Sequence, residues 1–270
     1  MDIEGADMND KELENIIKSK YCINASRIEK SDESTDGNVY IIKDENNNKY
    51  VIKVYIDLNH ASSMVSLHTY VNGINLMAPS IISNNENSQI TEYEGKYIVC
   101  YTFVDGVKLK EINLQSEIMI KIAEYLRKLH AIKDNRFNLK YVSFDVASDR
   151  KSVLHFDITK NNIFVDDDNI CFIDFDDAKF GPSVCDVAIA LTNLFISKAN
   201  GIDIHGMKNF IDAYYQDDMI LKEKEIPLIK DAAIKWLQSI IDNPNFDTST
   251  RAGLENKLKC WNEINMYNLT

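Results

Sequence analysis

The chain has 270 residues, a formal net charge of −12, 45% hydrophobic and 27% charged residues. This is an ordinary globular composition with enough length for a large core, and its acidic balance argues against a nucleic-acid footprint, which needs clustered Lys and Arg. No apolar run approaches the roughly 18 residues of a membrane span. The start, MDIEGADMNDKELENII, lacks the basic-then-apolar order of a signal peptide.

Five cysteines, Cys22, Cys100, Cys171, Cys185 and Cys260, are scattered without a C-x-x-C pair and read as reduced packing residues. A soluble, cytoplasmic protein with no membrane or nucleic-acid partner is expected.

In chain order, Leu13, Ile16 and Ile17 at i, i+3 and i+4 predict a short amphipathic helix over 10–19. Segments 21–30, 38–43 and 49–56 are rich in Ile, Val and Tyr and predict strands. The last two are joined by the hairpin turn Asp44-Glu45-Asn46-Asn47-Asn48, and a polar loop, Ser31–Asn38, precedes them. Lys53 sits in YVIKVY, where a buried strand lysine needs an anion; the plainer alternative is a side chain that snorkels to solvent.

Residues 59–73 read as a helix stopped at Asn72-Gly73, followed by strands at 88–93 and 96–104 and a boundary at the Asp105-Gly106 turn. Ile118, Ile122, Leu126 and Leu129 mark a helix over 114–132 that ends at His130, where the helix dipole favours a histidine over a ligand role. Residues 133–150 and 178–183 read as loops. Asp186 then opens an apolar helix that it would cap from the first turn. Helices follow at 203–218, 223–242 and 250–266, broken at Gly201, Pro227 and Pro244, with Tyr214, Tyr215, Trp236 and Trp261 read as core.

The informative stretch is 154–177, LHFDITKNNIFVDDDNICFIDFDD. His155, Asp157 and Asn162 stand as H-x-D-x-x-x-x-N, and Asp174 follows twelve residues after the asparagine. Ile163–Val165 and Ile170–Ile173 are β-formers around the turn-forming Asp166-Asp167-Asp168-Asn169, so they should pair as a hairpin. Such a hairpin brings Asn162 beside Asp174, two oxygen ligands that suit Mg²⁺. Asp157 on the lead-in loop is then placed to accept a hydroxyl proton. Singly, each of these residues is ordinary turn chemistry; the set is what carries information.

A strand lysine in a β-rich first third, an apolar connector, and a helical portion with H-x-D-x-x-x-x-N and I-D-F resemble the protein-kinase-like fold. LHFDITKNNIFV, FIDFDDAKFGPSVCDVA, LRKLHAI and the STDGNVY loop, which lacks G-x-G-x-x-G, are similar to the aminoglycoside phosphotransferase and choline kinase branch. The resemblance runs from about residue 30 onward.

It implies an α+β, bilobal fold with a β-rich nucleotide-binding lobe over 1–104 and a helical lobe over 105–270 holding the catalytic loop and acceptor site. It implies that Asp157 is the catalytic aspartate, that Asn162 and Asp174 hold Mg²⁺, and that His155 and Asp186 brace the loop. Lys53, with Ser34, Thr35 and Asn38, would bind ATP or GTP phosphates, and the Tyr101 carbonyl and Phe103 amide would meet the base.

The acceptor would be a small hydroxylated molecule, cationic in some cases: an aminoglycoside, an amino alcohol, a sugar or a related metabolite. Asp176 and Asp177 are candidates to attract an amine. Besides a helical region that is short for a family that reads its substrates there, the chain departs from the family pattern in two places. The segment NHASSMVSLHTYVNG has no acid to pair with Lys53, and Phe156 stands where a small residue is common. The first departure keeps a second reading open, a nucleotide-binding pseudokinase-like scaffold.

Overall fold

A computed structural model describes residues 8–31, 38–166, 169–197, 201–242 and 248–269. The chain divides into two compact units, Met1–Asp105 and Gly106–Thr270. Of the expected site residues, Ser34 and Thr35 lie outside the described residues, as do Pro244 and the turn residues Asp167 and Asp168.

In the first unit, helix α1 (Asp10–Tyr21) begins where the Asn9 side chain accepts the Glu12 amide and ends at Cys22, whose φ of 57° turns the chain. The expected strand therefore starts at Ala25 rather than at residue 21. Tyr21 stays in the helix because its ring is buried and its hydroxyl donates to the Ile98 carbonyl at 3.2 Å.

Strands β1 (Ala25–Lys30), β2 (Val39–Asp44) and β3 (Lys49–Tyr55) form an antiparallel meander. Helix α2 (Leu58–Gly73) follows, then β4 (Ile81–Ile82), β5 (Thr91–Tyr93) and β6 (Lys96–Thr102). The sheet order is β1-β2-β3-β6-β4, with β5 also on β6. Leu13, Ile16 and Ile17 cover one face of this sheet against Tyr40, Ile42, Ile52, Val54, Ile98 and Cys100. Leu13 and Ile17 are wholly buried, each side chain contributing about 1.5–3 kcal/mol relative to exposure.

The second unit opens with β7 (Val107–Lys108), α3 (Ser116–Leu129), β8 (Lys140–Tyr141) and β9 (Lys151–Leu154). The hairpin β10 (Ile163–Asp166) and β11 (Asn169–Phe172) follows, with β7 on its outer edge. Residues 178–183 were expected as a loop, but Lys179–Pro182 form strand β12, antiparallel to β9 and parallel to β8. Gly181 makes that packing feasible, because a Cβ there would stand 2.5 Å from Val142 Cγ2.

Helix α4 (Val184–Phe195) is followed by the small ribbon β13 (Ile196–Ser197) and β14 (Gly201–Ile202), then α5 (Ile204–Tyr215), α6 (Met219–Ile241) and α7 (Thr248–Glu263). Pro227 does not break α6 as expected. The helix runs through it, losing one backbone bond while Ile226, Ile229, Ala232, Ala233, Trp236 and Leu237 hold its buried face. Tyr214, Tyr215, Trp236 and Trp261 are all buried. Among the described residues no helix is long and apolar enough to cross a membrane.

Candidate active site

The hairpin β10–β11 pairs Ile163 with Phe172, and one step further the Ile173 amide donates to the Asn162 carbonyl at 2.9 Å. Asn162 and the residue before Asp174 are therefore tied together by the backbone. The Asn162 side chain reaches back into the loop, where its Nδ2 donates to Asp157 Oδ2 at 2.6 Å and to the Asp157 carbonyl at 3.1 Å. With both amide protons directed at Asp157, Oδ1 is the atom Asn162 can offer to a cation. Asp157, Asn162 and Asp174 thus belong to one short, cross-braced segment.

Two residues of this segment adopt left-handed backbone, Phe156 at φ 66° and Asp174 at φ 65°. For side chains with a Cβ this conformation costs about 1–3 kcal/mol and must be held by its surroundings. At Phe156 the hold is visible. Its amide donates to Asp186 Oδ1 at 2.9 Å, and the preceding His155 amide donates to Asp186 Oδ2 at 2.7 Å.

Asp186 had been expected to cap its own helix, but the cap position is Ser183. The Asp186 carboxylate, fully buried, instead takes the two loop amides. His155 fixes the loop from its other side, with Nε2 2.9 Å from the Ile173 carbonyl and Nδ1 3.3 Å from the Asp157 amide. A carbonyl only accepts and an amide only donates, so Nε2 donates to Ile173 and Nδ1 accepts from Asp157.

Sequence reasoning assigned His130 to a helix dipole and missed what lies behind the loop. His130 does end α3, but it is buried, with Nε2 3.1 Å from Asp186 Oδ2 and Nδ1 2.6 Å from the Tyr214 hydroxyl. Arg150 donates to the same hydroxyl at 3.0 Å and to Glu225 Oε2 at 3.0 Å, and the Tyr215 hydroxyl donates to that oxygen at 2.9 Å. One signal was available: Asp186 is an acid inside VCDVAIALTNLF, and a buried carboxylate requires donors.

Burial raises the Asp157 carboxyl above the usual carboxylate range, and the nearby charges of Asp174 and Asp177 raise it further, against the opposing effects of His155 and the Asn162 bond. A carboxylate so placed holds a proton more readily than a solvated one. The hard oxygens of Asn162 and Asp174, amid that surplus of negative charge, fit a Mg²⁺-type ion. Among the described residues no three His, Cys, Asp or Glu side chains form a metal cage, so a cation here would draw most of its ligands from phosphate and water. Asp176 is half-buried and Asp177 exposed, just past this segment.

The remaining expected residues lie in the first unit. Lys53 is half-buried on β3, opposite Val39 and Val99. Neighbouring Asn38 is buried, its Nδ2 donating to the Val54 carbonyl at 2.9 Å, so it ties strand ends together. Tyr101 is buried on β6 with its hydroxyl 3.1 Å from that of Tyr55. Phe103 lies past the end of β6, its ring capped by Lys49 Nζ at 4.7 Å.

Residues 139–215 match the family described as "Phosphotransferase enzyme family". No curated protein sequence matches the chain. Among solved structures, an amicoumacin kinase in complex with AMP-PNP, Ca²⁺ and Ami superposes with a TM-score of 0.77 at 13% identity, covering 97% of this chain and 98% of that one. A GDP complex of aminoglycoside 2'-phosphotransferase-IIIa gives 0.70 at 12%, covering 94% and 99%. A microcompartment-associated aminopropanol kinase gives 0.65 at 12%, covering 94% and 95%. The chain has the protein-kinase-like fold of the small-molecule phosphotransferases, with a β-rich first unit and a mainly helical second, and residues 139–215 carry the phosphotransferase family's sequence pattern.

Proposed function

We propose that the chain is a Mg²⁺-dependent kinase that moves the γ-phosphoryl group of ATP or GTP onto a hydroxyl of a small molecule. The observation that carries this reading is the cross-braced set of Asp157, Asn162 and Asp174, held from below by His155 and Asp186. Phosphoryl transfer asks the protein for positioning and charge compensation rather than covalent chemistry; a rigid loop that carries a carboxylate with raised proton affinity supplies the positioning and a proton acceptor, and charge compensation falls to the cation.

In this reading Asn162 fixes Asp157 Oδ2, so Oδ1 is directed to the acceptor hydroxyl. The hydroxyl oxygen bonds to Pγ while the bond from Pγ to the bridging oxygen breaks. The nucleoside diphosphate leaves with that electron pair, and the hydroxyl proton passes to Asp157. Asn162 Oδ1 and the Asp174 carboxylate would hold Mg²⁺, whose role when bound is to neutralise charge on the phosphates. The resemblance gives the nucleotide phosphates to Lys53 with Ser34, Thr35 and Asn38, and the base to the Tyr101 carbonyl and Phe103 amide.

Asp157→Asn keeps the shape and the acceptor for Asn162 but removes the proton acceptor. Turnover should fall by about 10²–10⁴-fold with the fold intact, and a variant that turns over normally would sink the assignment. A second reading, a nucleotide-binding scaffold, is favoured by one observation: helix α2, LNHASSMVSLHTYVNG, contains no acid. ATP with Mg²⁺ that stabilises the chain, without transfer to any member of an amine, sugar and hydroxy-acid panel, would favour the scaffold.

A further inference from the structure

The catalytic loop carries a second, oppositely charged feature at its Ile158–Lys160 bend. On α4, Asn193 donates from Nδ2 to the Ile158 carbonyl at 2.9 Å, immediately after Asp157. Its Oδ1 accepts from Lys257 Nζ of α7 at 2.8 Å. A single asparagine thus tethers an α7 lysine to the residue next to the proposed base. Lys160 belongs to the same bend, and its carbonyl accepts the Lys110 amide at 3.1 Å.

Both lysine side chains are half-buried. Burial lowers the Lys257 ammonium from the ordinary lysine range, and the neighbouring charge of Lys160 lowers it further.

The missing element is an anion. The chain has 42 acids against 30 Lys and Arg, and buried Lys222 pairs with Asp212 as half-buried Arg150 pairs with Glu225. Among the described residues no carboxylate lies within ion-pair distance of Lys160 or Lys257. Lys257, half-buried on Asn193 and opposed by the charge of Lys160, has lost hydration, an arrangement that an arriving anion would relieve.

Resting on the kinase reading above, we propose that Lys257 and Lys160 select an acceptor that carries a carboxylate near its reactive hydroxyl, a hydroxy acid or hydroxy amino acid, rather than a polycation. Asn193 fixes Lys257 relative to Asp157, so anchoring the carboxylate on the ammonium groups sets the distance at which the hydroxyl meets the base.

The test uses matched probes that differ only by the carboxylate: L-homoserine against 3-aminopropan-1-ol, and L-serine against ethanolamine. Each is titrated by calorimetry into the full chain loaded with AMP-PNP and Mg²⁺. The carboxylate member of at least one pair should bind about tenfold or more tightly than its partner. Lys257→Met and, independently, Lys160→Met should abolish that preference while AMP-PNP affinity stays within about twofold of wild type.

Equal, undetectable or inverted binding by the wild type overturns the proposal. So does a preference that survives both substitutions, or a loss of AMP-PNP affinity, which would assign the lysines to the nucleotide. Because binding is read without transfer, such a failure leaves the kinase reading standing, and that reading stands or falls on Asp157→Asn.

Discussion

Asp186→Asn isolates the contribution of the buried carboxylate to the shape of the proposed catalytic loop. In the native chain Oδ2 accepts the His155 amide and faces His130 Nε2, while Oδ1 accepts the Phe156 amide. An asparagine keeps one oxygen. Its cheaper orientation leaves that oxygen on His155 and His130 and turns the NH₂ toward the Phe156 amide, donor against donor.

One orphaned buried donor costs about 1–3 kcal/mol, and loss of charge assistance on the two surviving bonds brings the total to about 2–5 kcal/mol. Asp186→Ala orphans all three donors and should cost about 3–9 kcal/mol, the upper end enough to unfold most domains. Trp236 and Trp261 are the two tryptophans of the chain and both lie in Gly106–Thr270, so tryptophan fluorescence reads unfolding of the unit that holds Asp186.

Activity should also fall in Asp186→Asn. Phe156 in its left-handed conformation loses its restraint one residue from Asp157, and displacement of a base by about 1 Å is worth about 10²-fold in kcat. A variant within about 0.5 kcal/mol of wild type in urea unfolding, the range of surface substitutions, would refute the reasoning.

Asp157→Asn should behave oppositely in stability. The folded carboxyl is raised above its unfolded value by burial, Asp174 and Asp177, so the folded state binds the proton more tightly and the wild type loses stability as pH rises from the unfolded value to the folded one. The variant should therefore melt at or above the wild-type temperature at neutral pH, with the gap closing as pH falls below the normal carboxylate range.

Thiol labelling of the native chain should reach exposed Cys22 first and half-buried Cys260 next. Cys100 and Cys171, with burial pushing both thiols up to about 12, and Cys185, pushed higher still, should react only on unfolding. Gly181→Ala places a Cβ 2.5 Å from Val142 Cγ2 and should cost about 1–3 kcal/mol by urea unfolding. Val142→Ala in the same chain should recover most of that loss; no recovery would mean the contact is not the cause.

The legible parts of this chain are those set by neighbours in sequence. Ile163–Asp166 and Asn169–Phe172 pair because β-branched and aromatic residues flank a polar turn, and that local rule alone brings Asn162 to Ile173. The helix α1 stripe and the β2–β3 hairpin are local in the same sense. Lys179–Pro182 was illegible because its Gly-Pro reads as a turn, and only contact with β8 and β9 makes it a strand. Pro227 misled for the converse reason: a local breaker was overridden by the buried face of α6.

The braces under the proposed catalytic loop are distant in sequence, and their logic becomes visible only as a chain of donors and acceptors. Arg150 cannot accept, so at the Tyr214 hydroxyl it is the donor, and the same hydroxyl lies 2.6 Å from His130 Nδ1. A carboxylate only accepts, so His130 Nε2 is the donor that faces Asp186 Oδ2. Asp186 is thereby presented with donors only, two loop amides and one imidazole, and can remain a buried carboxylate. Glu225 completes the sequence by accepting from Arg150 and Tyr215. Through these bonds residues from α3, α4, α5 and α6 hold a single left-handed turn beside Asp157.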